Sequence, residues 1–377
     1  MNRAERISQS LTIVAALALL CLSPTRVAAR PAAEATLQVL TFNVWHGLRS
    51  GESHKRFPGE DAQRAEERFS WQIEEIKRLD PDVLLLQEVN PNQRQARKYA
   101  AALGYDEIHK VTSCGLHLGA LYKIPKNVND GIAILAKPEL QLRRIGKKRL
   151  SGNAKCTASW GFQTKESRYG LFGEIRFDGR KVLVATTHLS SPAFVLPDFD
   201  QQLAALVADG TLTQEQHDEI QAARQAKSDR NLKETQAMMS QMAQRASRIG
   251  GDTGPAPILF GGDFNAEPDT PGIQAVHAAG YDEAGTGPDF HTWDPVTNQV
   301  NYAIGTRRND PLPTFGSEEV EALLEHRSTT PRQIDHLFVK NGFEVVSAEM
   351  VLNHAKDGMY PSDHFGLLAT IELPAAD

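Results

Sequence analysis

Short apolar runs recur along almost the whole chain, and each closes on a polar residue or a turn. The clearest are Leu37–Trp45 (LQVLTFNVW), Asp82–Val89 (DVLLLQEV), Gly131–Ala136, Leu171–Phe177, Lys181–Leu189, Pro257–Phe260, Gln333–Val339 and Gly366–Leu373. In several of them Val, Ile and Leu follow one another with little alternation, as in strands covered on both faces or lying over one deep core. Between the runs the period changes. Phe69, Ile73, Ile76 and Leu79 fall on one helix face, which predicts a helix over Ala62–Leu79 stopped by Asp80-Pro81. The stretch Phe199–Ile249 is rich in Gln, Ala, Glu and Lys and reads as two helices, with Asp209-Gly210 and Ser228-Asp229 as breaks. Its Met238, Met239 and Met242 read as core packing, and Gly250–Pro255 reads as a loop. Strand-like runs continue through both halves without a repeat or a low-complexity linker. One domain over 34–377, with a helical insertion at 199–250, is the simplest division.

The first segment is of another kind. Arg3 and Arg6 precede an apolar run, Leu11–Leu22, and small residues follow as far as Ala28-Ala29. That order is the pattern of a secretory signal peptide, and a bilayer span needs about 20 apolar residues. The expectation is a signal peptide over 1–29 and a secreted or periplasmic product; an uncleaved anchor is the alternative. The chain carries −6, and loss of Arg3, Arg6 and Arg26 against Glu5 makes the remainder two charges more negative. Such a balance lacks the broad basic field that drives non-specific nucleic-acid binding. Arg143-Arg144 with Lys147-Lys148-Arg149 offers a local basic patch, for which a solvated loop is the plainer reading. With 41% hydrophobic and 23% charged residues, the composition is otherwise that of a soluble globular protein. Cys114 and Cys156 can pair in an oxidising compartment or remain free thiols, and neither sits at zinc-site spacing.

Polar residues gather at one end of the predicted strands. Asn43, Glu88 and His188 each close an apolar run. Asp263 and Asn265 follow Ile258–Gly262, Asp335 interrupts the run from Ile334 to Val339, and Asp363-His364 precedes the last strand. A carboxylate at an apolar strand end is costly to bury unless it is paired, hydrogen-bonded or on a metal. Any one of these residues reads equally well as a turn or cap; six positions sharing the pattern do not.

In order, Thr41-Phe42-Asn43, Leu86-Gln87-Glu88, Thr187-His188-Leu189, Gly262-Asp263-Phe264-Asn265, Ile334-Asp335 and Ser362-Asp363-His364 resemble the motifs of the endonuclease/exonuclease/phosphatase superfamily, from Leu37 to Leu373. The resemblance implies an α/β fold, a four-layer sandwich of two mostly antiparallel β-sheets packed face to face with helices outside. It implies a metal-dependent phosphoesterase. Hard ions such as Mg²⁺ or Mn²⁺ suit carboxylate, amide and water ligands. Glu88 is the first metal ligand on this reading, with Asn43 and Asp363 beside it. Asp263 orients or deprotonates the attacking water, Asn265 donates to phosphate or the leaving oxygen, and His188 and His364 contact phosphoryl oxygens. Asp335 holds the His364 ring in one tautomer. His336 should point to the opposite sheet face from Asp335.

His46-Gly47 and the segment Phe290–Pro295 resemble a secreted or membrane-associated branch of that superfamily, which makes His46 and Trp293 candidates to line the substrate cleft. A Trp packed in a loop is the alternative. The expected partner is a phosphodiester substrate, either nucleic acid or a phospholipid or sphingomyelin head group, with no stable protein partner and a monomeric chain. A phosphomonoester of a small metabolite is the second enzymatic reading, and a binding protein without turnover the third. No long basic insertion and no apolar hairpin stands out. The insertion at 199–250 follows His188 directly, which makes Arg224, Arg230 and Lys233 candidates to reach a phosphate.

Overall fold

The computed structural model describes residues 35–47, 60–118, 122–124, 128–157, 160–193, 198–298, 312–325 and 330–374. The expected signal peptide lies outside the described residues. Among the described residues no helix is long and apolar enough to cross a membrane.

The strands are β1 (Ala35–Asn43), β2 (Val83–Gln87), β3 (Asp106–Ser113), β4 (Leu116–Leu118), β5 (Tyr122–Ile124), β6 (Asp130–Ala136), β7 (Arg143–Arg149), β8 (Lys155–Cys156), β9 (Trp160–Phe162), β10 (Tyr169–Phe177), β11 (Arg180–His188), β12 (Ile258–Asp263), β13 (Asp282–Ala284), β14 (Asp335–Lys340), β15 (Glu344–Val351) and β16 (Gly366–Leu373). The helices are α1 (Ala62–Leu79), α2 (Asn92–Leu103), α3 (Phe199–Ala208), α4 (Gln214–Gly250), α5 (Pro271–Ala278) and α6 (Glu318–Glu325).

Two six-stranded sheets share one plan. The first runs β15-β16-β1-β2-β6-β3 and the second β13-β14-β12-β11-β10-β7. In each, the central pair is parallel, β1 with β2 and β11 with β12, and every other neighbour is antiparallel. The faces of the two sheets meet over Leu37, Val39, Leu85, Ile134, Val184, Leu259 and Leu337. Outside the first sheet, α1 and α2 lay Phe69, Ile76 and Tyr99 on Leu84, Leu86 and Phe42. Outside the second, α4 and α5 lay Met238, Met242 and Ile273 on Phe172, Phe260 and Phe338. Helix, sheet, sheet, helix is the four-layer order, so the strand interiors are apolar on both faces, as their continuous Val, Ile and Leu require.

Three local expectations are corrected. Helix α4 runs unbroken for 37 residues. Ser228-Asp229 lowers helix propensity only slightly, and the Gln225 side chain donates to Asp229 Oδ1 four residues on at 2.7 Å. The basic run from Arg143 to Arg149 is not a loop but β7, an edge strand. The strand placed at Pro257–Phe260 starts at Ile258 and continues to Asp263. Gly262 makes that continuation possible: its φ is +151°, and a Cβ there would stand 2.2 Å from Thr187 O on the parallel neighbour.

A third, four-stranded sheet, β5-β4-β9-β8, stands on two excursions from the large sheets. One leaves between β3 and β6, the other between β7 and β10, and a Cys114–Cys156 disulfide joins them with Cα atoms 5.9 Å apart.

Candidate active site

The C-terminal ends of both central parallel pairs open toward the same point. Asn43 ends β1, His188 ends β11 and Asp263 ends β12, where His188 pairs with Asp263 and Asp263 with Asp335 in register. Asn43 Nδ2 reaches across the two sheets and donates to Asp263 Oδ2 at 3.0 Å. His188 Nε2 and His364 Nε2 lie 3.4 and 3.9 Å from that same oxygen. His364 Nδ1 faces Asp335 Oδ2 at 2.7 Å, and Asp335 is wholly buried. Asp263 Oδ1 accepts from the Asn265 backbone at 2.8 Å, while Asn265 Nδ2 donates to Leu189 O and keeps a second N–H.

Glu88 stands beside this group. His46 donates its backbone N–H to Glu88 Oε2 at 3.1 Å, and the His46 ring lies 3.5 Å from that oxygen. Trp45, Glu88 and Asn265 hold φ values of 54°, 55° and 52°, a left-handed conformation that costs energy for residues with a Cβ and clusters at functional sites. A cleft of about 630 Å³ opens next to His46, with Trp45, Arg68, Asn90 and Tyr99 also on its wall. Ser362 Oγ donates to Asn43 O at 2.6 Å and lies 3.2 Å from Asp363 Oδ1.

Burial and neighbours set the charges. Burial, then the nearby Asp335, pushes the Asp263 carboxyl up to about 7 against the pull of His364 and Asn43. Burial and Glu88 raise Asp363 to about 6, although His364 opposes it. Burial would also raise Glu88, but the facing His46 and His364 rings and the His46 backbone N–H hold it down at about 2. For His364, burial alone would depress the ring; Asp335 above all carries it well above the ordinary imidazole value. His188 goes the other way, well down, through burial and then Arg168. The centre therefore holds a cationic His364, a neutral His188, an ionised Glu88 and a carboxyl, Asp263, poised near neutrality.

Several supporting residues left little trace in the sequence. The buried Glu234 of α4 accepts from the backbone and hydroxyl of Ser190, both at 2.7 Å, and Asn231 donates to Ser190 O and Phe264 O, both at 2.8 Å. One helix thus fixes the turns after His188 and after Asp263. The available signal was that Asn231, Glu234 and Thr235 continue the buried stripe of Met238 and Met242. Thr292 Oγ1 accepts from the Asp335 backbone at 2.9 Å, and Thr292 O accepts from Phe365 N at 2.7 Å. It is therefore Thr292, next to the singled-out Trp293, that the structure brings to the site. Trp293 lies under Arg332, whose guanidinium is 4.3 Å from the ring centre. Among the insertion's cations, Arg224 pairs with Asp200 at 2.6 Å, and Arg230 and Lys233 are exposed. Asp335 and His336 part to opposite faces, His336 meeting Glu283 Oε1 at 2.6 Å and Ala266 O at 2.7 Å.

The donor set fits a hard divalent ion. Glu88, Asp263, Asp335 and Asp363 crowd into one region, where Asp335 and Glu88 help push the Asp263 carboxyl up and Glu88 that of Asp363, and Asp335 Oδ1 is buried without a hydrogen-bond partner. Ligand atoms of Asp263, Asp335 and His364 all lie within 4.8 Å of one another. His364, however, already faces Asp335 through Nδ1. Oxygen donors on Glu88, Asp363 and Asn43 suit Mg²⁺ or Mn²⁺ better than that closed carboxylate–imidazole pair.

The sequence profile of the Endonuclease/Exonuclease/phosphatase family matches residues 40–364. The chain belongs to this family. Members of the endonuclease/exonuclease/phosphatase family are phosphoesterases and nucleases. It is 25% identical over 369 residues to Nocturnin of Drosophila melanogaster, covering 93% of this chain and 49% of that one. The chain thus spans about half the length of that curated relative. Among solved structures it is similar in fold to an endonuclease/exonuclease/phosphatase family protein of Bacteroides thetaiotaomicron, with a TM-score of 0.54, 16% identity and coverage of 91% of this chain and 100% of that one. A mannosyl-6-phosphatase of the same organism gives a TM-score of 0.51 at 16% identity, covering 89% and 99%.

Proposed function

We propose that the protein is an exported, divalent-metal-dependent hydrolase of phosphodiesters, working as a monomer on nucleic acid or on a phospholipid or sphingomyelin head group. The observation that carries the reading is the junction of the two sheets, where Asn43 reaches Asp263 at 3.0 Å and Asp335 reaches His364 at 2.7 Å beside Glu88. Cleaving a phosphate ester requires a deprotonated water and donors for the charge that grows on phosphoryl oxygens.

Each residue has a matching part. Asp263, with a pKa of about 7, takes the proton of the attacking water near neutral pH. Asn43 steadies its Oδ2, and the Asn265 backbone steadies its Oδ1. Cationic His364 presents Nε2 to a phosphoryl oxygen because Asp335 occupies Nδ1. His188 and the second N–H of the Asn265 amide donate to the remaining oxygens. Glu88, Asp363 and Asn43 would hold Mg²⁺ or Mn²⁺. A bound ion supplies charge neutralisation at the phosphate and lowers the pKa of a coordinated water. His46, at the cleft wall, contacts the substrate beyond the phosphate. The basic start and apolar run of residues 1–29 support export.

One experiment tests the reading. The protein is stripped of metal, then given Mg²⁺ or Mn²⁺ with bis-p-nitrophenyl phosphate, p-nitrophenyl phosphate, plasmid DNA, RNA, sphingomyelin and phosphatidylcholine. Chelator should abolish diester cleavage and either ion restore it. Full activity in chelator after thorough dialysis refutes the metal, and cleavage of the monoester alone refutes the diester.

A further inference from the structure

Four large apolar side chains stand in the open on one face of the small sheet. Leu118 is 60% exposed, Phe162 48%, and Leu116 and Trp160 43% each. Register makes them one patch: Leu118 lies across from Trp160 and His117 from Gly161, which sets Leu116 across from Phe162. The other face has no room for them. A Cβ added at Gly161 would stand 2.3 Å from the His117 ring and 2.9 Å from Cys114 Sγ. Alternation then forces Leu116, Leu118, Trp160 and Phe162 outward, and the disulfide ties the two excursions that carry them. The patch escaped the sequence pattern because Leu-His-Leu and Trp-Gly-Phe are far apart and too short to read as an apolar hairpin.

One cation borders the patch, and others stand on the strand that leads into its sheet. Lys155 is exposed and lies across from Phe162. Strand β7, which leads directly into β8, exposes Arg144, Lys147, Lys148 and Arg149. These cations gather on a chain whose net charge is −6. The placement relates to the catalytic end. The first excursion returns at Asp130-Gly131, where Gly131 O accepts from Val89 N, the residue after Glu88. The second returns at Tyr169-Gly170, with Gly170 across from Thr187, the residue before His188.

We propose that this face docks the protein on an anionic lipid surface, the apolar quartet entering the head-group region and the basic strand lying over anionic head groups. Exposed Trp, Phe and Leu beside Lys and Arg are the combination that partitions to such an interface. Single-stranded nucleic acid also takes aromatics among cations, but half of this patch is leucine, which offers no ring to stack on a base. A symmetric contact with a second copy would set Lys155 and β7 near their own images, like charge against like. The docking does not depend on which ester is cleaved.

Sedimentation with vesicles tests this without any turnover. The full protein is mixed with phosphatidylcholine vesicles, plain or with about a third phosphatidylserine. It should pellet with the anionic vesicles, and acrylamide quenching of its Trp fluorescence should fall as Trp160 is shielded. The L118T/W160T variant, built with strand-forming residues, should lose about tenfold or more of that binding. K147E/K148E, which leaves the apolar face untouched, should lose about as much. Near-UV circular dichroism and the melting temperature report whether each variant is folded, and the quenching of the unmutated protein stands even where one is not. Failure of the wild type to pellet with either vesicle overturns the proposal. So does wild-type binding by folded L118T/W160T, a dimer in solution that this variant abolishes, or oligonucleotide binding in place of vesicle binding.

Discussion

Removing the charge of Asp335 should disable His364 without displacing it. The pair is buried, with Nδ1 2.7 Å from Oδ2 and the two side chains 6% and 0% exposed. At that distance an effective dielectric near 20 gives a gross attraction of about 6 kcal/mol, much of it offset by desolvation. Leaving one member of a buried pair alone costs about 3–5 kcal/mol, so in Asp335→Asn the ring sheds its proton rather than remain an unpaired cation. Loss of a positioned acid or base is worth about 10²–10⁴-fold in rate. Asp335→Asn and His364→Ala should therefore each lose that much kcat on bis-p-nitrophenyl phosphate with saturating metal. D335N/H364A should cost little more than the worse single variant, because the second change removes a group already disabled. All three are measured after near-UV circular dichroism confirms folding. Losses that multiply in the double variant would refute the coupling.

Three further outcomes follow from the same structure. Asp263→Asn keeps shape and removes the basic oxygen, so kcat should fall about 10²-fold or more with little change in melting temperature; an unchanged rate would make Asp263 structural. Replacing Cys114 and Cys156 by Ser opens a closure spanning 42 residues; the chain-entropy relation puts the loss near 4 kcal/mol, read by denaturant unfolding, and an unchanged midpoint would refute it. Lys110 is buried below the Tyr169 ring, and burial, then Lys147 and Arg144, lower its amine from 10.5 to about 8. Its folded pKa lies below its unfolded one, so wild-type stability from this group rises as pH climbs from about 8 to 10.5 and is lost on the way back down. The melting-temperature difference between Lys110→Met and wild type should shrink over that interval, and a constant difference would contradict the argument.

What was legible in the sequence divides by position in the sheets. Central strands such as β1, β2, β6 and β11 are covered on both faces and carry continuous apolar runs. All four edge strands of the large sheets, β15, β3, β13 and β7, escaped notice. An edge strand pairs on one side only and tolerates the charges of EVVSAEMV or RRIGKKR, which hide its β character. The same logic holds at the site. Asn43, Glu88, His188, Asp263 and Asp335 were visible because a polar residue interrupts or ends an apolar run. Glu234, Asn231 and Thr292 act through hydrogen bonds to distant backbone, and nothing local marks them until the elements are brought together.

The common plan of the two sheets has a mechanical consequence. Each large sheet is a near copy of the other in strand arrangement, and the reacting groups are shared between them as between two jaws. Asn43, Glu88 and His364 belong to one jaw, and His188, Asp263 and Asp335 to the other. The contacts that matter at 2.7 and 3.0 Å both cross the gap. Gln87 works as a rivet through it, donating from the first sheet to Thr186 Oγ1 of the second at 3.1 Å. A slip of one jaw by a single ångström would part both pairs at once. On the proposed reading, alignment of the two halves, rather than the integrity of either, is the property on which catalysis hangs, and the rivet itself is wholly buried between them.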